Sequence, residues 1–224
     1  MFSLSARFFW TTALTLALGN GTAWAQTSLL EAVEQGDSAK VRELLSQTQG
    51  RQSVNVPDQQ GQSPLLRATW LNAIDIAELL VQAGADVNQV DAIADTPYLV
   101  AGAQGRLEIL RLTLQHGADL RSVNRYRGTA LIPAAEHGYV QVVQELLRAG
   151  VDPNHVNRLG WTALHEAIVL SDGGPDHQQV VRDLIAGGAD VNLPDGQGVR
   201  PLTLARQRNQ HETAAILEQA GAKP

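Results

Sequence analysis

Six histidines are the first candidates for chemistry: His116, His137, His155, His165, His177 and His211. No two stand at helical i, i+4 spacing, and no His-Glu-x-x-His occurs, so the one-face geometry of a catalytic zinc helix is missing. His155, His165 and His177 cluster loosely in sequence, but nothing in their spacing matches a zinc site. The chain has no cysteine, which removes thiol nucleophiles, disulfides and thiolate metal sites. Asp172-Gly173-Gly174-Pro175 is glycine-rich but lacks the strand, helix and Lys of a phosphate-binding loop. There is no Gly-x-Ser-x-Gly elbow for a serine nucleophile. Asp86, Asp119, Asp152 and Asp190 each follow a Gly-Ala or similar pair, as turn residues do. The sequence therefore predicts no enzyme, no cofactor and no metal.

The elements that must position these residues are one unit repeated. Ser63, Thr96, Thr129 and Thr162 each open a similar four-residue motif at intervals of 33, and Arg200-Pro201-Leu202-Thr203 follows after 38. Gly84, Gly117, Gly150, Gly188 and Gly221 mark the same period, with the same five-residue excess before Gly188. Two independent markers holding one period indicate a repeat architecture. The Ser or Thr is expected to cap a helix, with Pro at its first position, where a missing N–H costs nothing. Small residues such as Ala68, Ala101, Ala134 and Ala135 suit close stacking of short helices. Gly36, Gly105 and Gly138, with Asn72 and Asn209 as substitutes, are expected to end the first helix in a left-handed turn. A second helix follows, as in Val142-Val143-Gln144-Glu145-Leu146-Leu147, and stops at the next marker glycine.

This unit resembles the ankyrin repeat. The caps typified by Thr162-Ala163-Leu164-His165 and the Gly84-Ala85-Asp86-Val87-Asn88 tails carry the likeness, which covers residues 27–224. It implies an all-α solenoid of about six helix–turn–helix units with projecting loops, at approximately 27–60, 61–93, 94–126, 127–159, 160–197 and 198–224. The first and last units are atypical and polar, as solenoid ends must be. In the family, a glycine stands two residues before each cap. Gly61, Gly160 and Gly198 keep it, whereas Ala94 and Arg127 do not, and Gly128 is expected to shift the fourth turn by one residue. The five extra residues lie within Ser171 to His177, which is expected to form an exposed turn between the helices of unit five.

The likeness also implies where a partner would bind: loop tips and the inward ends of first helices, where the repeat does not dictate the residue. Those positions hold Trp70, Arg125, Tyr126, Arg127, Glu136, His137, Arg158 and Trp161 as candidate partner-binding residues. Tyr, Trp and Arg are the types enriched at binding hot spots. Arg125, Arg127 and Arg158 form a basic patch suited to an acidic partner segment. The patch is small, and a net charge of −6 with 4% aromatics argues against nucleic acid. His165 takes the family's cap position, which implies a structural role.

Residues 1–25 read as a secretory leader. Arg7 precedes the apolar run Phe8 to Leu18, and Ala23-Trp24-Ala25 is a small-x-small cleavage site. The run is too short to span about 30 Å of hydrocarbon. Cleavage after Ala25 would leave a monomeric periplasmic chain, residues 26–224, with no membrane span. The expected function is non-enzymatic protein binding on the concave face. The alternatives are an inhibitor or immunity protein for a toxin or hydrolase, and a protector of an envelope enzyme such as one in oxidative defence.

Overall fold

The computed structural model describes residues 28–224, so the expected leader lies outside the described residues. The described residues form thirteen α-helices and no strand. Twelve of them make six antiparallel pairs: α1 (Leu29–Glu34) with α2 (Ser38–Ser46), α4 (Pro64–Leu71) with α5 (Ile74–Gln82), and α6 (Pro97–Ala103) with α7 (Leu107–Gln115). The others are α8 (Leu131–Glu136) with α9 (Val140–Ala149), α10 (Ala163–Val169) with α11 (Pro175–Ala186), and α12 (Pro201–Gln207) with α13 (His211–Gln219). The thirteenth, α3 (Thr48–Gln52), lies between the first two pairs and has no counterpart in the repeat pattern. Each first helix packs on the next first helix, and each second helix on the next second helix, so the chain is a solenoid.

The repeat supplies one core row per register position. Leu65, Tyr98, Leu131, Leu164 and Leu202 are all buried in one continuous apolar cluster with Ala68, Ala101, Ala134, Ala167 and Ala205. The alanine row permits close approach of the first helices. At Gly102 the fit is tighter still, because a Cβ there would come within 2.8 Å of the Ala130 Cβ.

The punctuation works as expected. Gly36, Asn72, Gly105, Gly138 and Asn209 all have φ between 54° and 68°, and Gly84, Gly117, Gly150, Gly188 and Gly221 are also left-handed. Ser63, Thr96 and Thr162 cap their helices through the amides of Leu66, Leu99 and His165.

Three expectations need correction. Gly128 does not take over the fourth turn: Arg127 itself adopts φ 61°, and Ala94 adopts φ 66°. The reason is that the turn is held by side chains. Asp58, Asp91, Asn124, Asn157 and Asp195 each accept amides two and four residues ahead, so every loop closes alike. Thr129 does not cap α8. Pro133 lacks the N–H that Arg67, Val100 and Glu166 donate to their cap carbonyls, so Ile132 N–H bonds to the Thr129 carbonyl instead. The Thr129 hydroxyl is left buried without a partner. Lastly, the inserted segment of unit five is only partly exposed. The buried Gln210 amide donates to the Ile168 and Ser171 carbonyls, and His177 Nε2 lies 2.9 Å from the Glu136 carbonyl.

Candidate functional site: a groove beneath the loop tips

The loop tips stand in register. Gln60, Ile93, Tyr126, Leu159 and Gln197 occupy one position, apolar in the three middle loops and polar at both ends. Ile93, Tyr126 and Leu159 are 47%, 54% and 60% exposed. The tips are cross-linked by backbone, with Ala92 N–H donating to the Gln60 carbonyl and Arg158 N–H to the Tyr126 carbonyl. Beneath them, between the tips and the first helices α4, α6, α8 and α10, lies a cavity of about 310 Å³.

Four of the eight residues singled out by the sequence line this cavity: Trp70, Arg125, Tyr126 and Glu136. Arg127, His137, Arg158 and Trp161 do not. Arg127 and Arg158 project as exposed side chains from adjacent tips. His137, at the C-terminus of α8, packs edge-on against Tyr139 with ring centroids 5.4 Å apart. Trp161 is partly buried, and its backbone carbonyl accepts the Asn157 amide. His165 is fully buried and closes a capping box with Thr162, which agrees with a structural role; burial depresses its pKa. Among the described residues, no group of three or more His, Cys, Asp or Glu is arranged to hold a metal ion.

The cavity beneath the tips carries acids, while Arg127 and Arg158 stay exposed on the tips above it. Arg125 stacks over the Tyr126 ring at 4.8 Å and reaches Asp95 Oδ2 at 3.5 Å, so its charge is already directed at an acid. Asp95 is buried; desolvation and the neighbouring Asp91 push its pKa up, while Arg125 draws it down. Glu166 lines the same cavity and is only 6% exposed. Its Oε1 accepts a 2.7 Å hydrogen bond from Asn157 Nδ2. Burial, and then the charge of Glu136, push its pKa up to about 7, against the pull of Asn157. Glu136 and Glu166 come from adjacent first helices, α8 and α10.

Glu166, Asn157 and Thr129 escaped the sequence reading as site residues. Glu166 directly follows the cap motif, where it looks like an ordinary first-turn acid. Its register equivalents are Arg67, Val100, Pro133 and Leu204, of which only Val100 is buried, so the repeat gave no signal that an acid here would be enclosed.

A family model described as "Ankyrin repeats" matches three stretches of the chain, residues 8–91, 98–195 and 134–224. The ankyrin repeat domain ABAYE2397 from Acinetobacter baumannii AYE is 51% identical, with a TM-score of 0.83 over 87% of this chain and 98% of its own. EF0377, a second ankyrin repeat protein of known structure, is 43% identical, with a TM-score of 0.82 over 86% of this chain and 96% of its own. YahD, an ankyrin repeat protein of Escherichia coli (strain K12), is 49% identical over 59 residues, which span 26% of this chain and 29% of that relative's length.

Proposed function

This chain belongs to the ankyrin-repeat family, and we propose that it is a non-enzymatic binding module of the periplasm that seats a protein partner along the groove beneath its loop tips. Ankyrin repeats are generally protein-binding modules, which is the coarse part of this reading. The observation that carries the finer part is the apolar row Ile93, Tyr126 and Leu159, left exposed above a cavity. Packing alone would favour covering such side chains, since each exposed large apolar group forgoes roughly 1.5–3 kcal/mol of burial. Contiguous exposed apolar residues rimmed by charge mark interaction sites. The periplasmic location rests on the leader pattern of residues 1–25. Among the described residues no helix is long and apolar enough to cross a membrane.

Site-directed photocrosslinking in the native organism tests the surface. A benzophenone side chain at position 126 or 159 should capture one discrete protein, and the same probe at Arg148, on the opposite side of the solenoid, should not. Equal or absent capture at all three positions overturns the surface. Cell fractionation with N-terminal sequencing tests the location, and recovery of an uncleaved chain in the cytoplasm overturns it.

A further inference from the structure

The docking surface is apolar at its tips, and the cavity beneath it carries acidic side chains among its apolar lining. Glu136 and Glu166 both line the cavity, from the adjacent helices α8 and α10, and neither has an ion-pair partner among the described residues. Of the cations near the groove, Arg125 is turned onto Asp95 and Tyr126. Glu166 is buried and Glu136 half-buried, and holding an enclosed acid beside a second one without a cation is costly for the free protein. The contrast with unit two is informative. There the register equivalent of Glu166 is Arg67, which pairs with Glu34 at 3.0 Å and with Asp58 at 3.6 Å. The fold can compensate charge at this position, yet in unit five it does not.

A second, independent observation points the same way. Thr129, 4% exposed, lines the cavity with its hydroxyl unpartnered, because Pro133 reorganises the start of α8. Trp70 lines it too, with its indole N–H unpartnered. Buried polar atoms in native proteins are nearly always satisfied, so orphans around one cavity mark the place of a missing partner group. A volume of about 310 Å³ admits one long side chain and its immediate flanks rather than a folded element.

We propose that this cavity receives the cationic side chain of an arginine or lysine on an extended partner segment, with Glu136 and Glu166 as its counter-charges and the flanking apolar side chains of that segment lying on Ile93, Tyr126 and Leu159. Charge complementarity selects this occupant: a cation restores to the two acids what Arg67 supplies to its neighbours in unit two. The guanidinium fork suits two carboxylates at once, which favours arginine over lysine. The Thr129 hydroxyl accepts a donor from the same group. The inference rests on the docking reading and specifies its partner chemistry.

The test is selection of a random decapeptide phage library against the immobilised full-length mature chain, with binding constants then measured on the selected peptides. Expected binders carry arginine or lysine within an apolar stretch, lose affinity at least tenfold when that residue becomes citrulline or norleucine, and lose it similarly on Glu166→Gln or Glu136→Gln. Both variants keep side-chain size and hydrogen-bonding capacity, and their folding is checked by circular dichroism. Binders that need Tyr126 and Leu159 but carry no cation, or cationic binders indifferent to both glutamine variants, overturn the anchor and leave the docking surface standing. Binders indifferent to Tyr126→Ala and Leu159→Ala, or the absence of any binder, overturn both.

Discussion

Asn157 Nδ2 donates a 2.7 Å hydrogen bond to Glu166 Oε1, and three units earlier the same two register positions hold Asp58 and Arg67, 3.6 Å apart as an ion pair. Units two and five thus make a polar contact between loop and first helix, once with opposite charges and once as a neutral donor on a buried acid, whereas Val100, Pro133 and Leu204 leave it out in their units. In unit five the arrangement leaves a carboxylate whose proton is held well above the ordinary range.

That carboxylate should make stability depend on pH. The folded-state pKa of Glu166 is raised from 4.5 to about 7, by burial first and the facing Glu136 second. The folded protein therefore binds this proton more tightly than the unfolded chain. The group costs nothing below the unfolded value. Its penalty grows as pH rises from 4.5 towards 7 and is complete above that, at about 3 kcal/mol. Glu166→Gln should accordingly stabilise the protein at pH 8 by up to about that amount, and change little at pH 4.5. Urea unfolding at the two pH values checks this; equal effects at both would show that the acid is not held protonated.

Partner capture should divide the candidate residues. Tyr126→Ala and Leu159→Ala remove exposed apolar surface and should weaken capture by tenfold or more, about 1.4 kcal/mol each, without lowering the melting temperature. Trp161→Ala, at a partly buried position away from the cavity lining, should instead lower the melting temperature. A Trp161 variant that folds normally and loses the partner would move the surface outward along the loops.

One link of the solenoid is absent. Asn55, Asn88, Asn154 and Asn192 each accept an amide from the following unit and donate to its marker-glycine carbonyl. Arg121 holds this register position between units three and four, with its side chain 93% exposed. Arg121→Asn should restore both bonds, to Gly150 and Asp152, and stabilise by about 1–2 kcal/mol. Thermal unfolding decides it; a neutral or lower midpoint would mean that the neighbouring units are offset there.

Left-handed residues without glycine should be improvable. Ala94→Gly and Arg127→Gly remove a Cβ from backbone at φ 66° and 61°, and each should stabilise by about 1 kcal/mol. The converse change, Gly160→Ala, should be severe, because its Cβ would stand 2.5 Å from the Gly196 backbone. Chemical denaturation of the three variants checks the ordering.

Much of this protein is written in its period. The spacing of 33 with one excess of five places the caps, the left-handed turns and the core rows, because each unit meets the same neighbours and must solve the same packing problem. Even Asn72 and Asn209 could be read as glycine substitutes, since a left-handed turn admits few residue types. Ala94 and Arg127 could be seen to break the rule, but not how their turns survive; the Asp91 and Asn124 side chains supply the closure. Trp70, Tyr126 and Glu136 were legible as residues that the repeat does not require. What only the stacked structure decided is who faces whom. Glu136 and Glu166 lie thirty positions apart, as do Asp95 and Arg125, and neither pair has a signature in local spacing. Their meeting depends on how one helix sits on the next. So does the desolvation that turns an ordinary first-turn glutamate into a buried acid, because burial is a property of the assembled surface and not of any segment of chain.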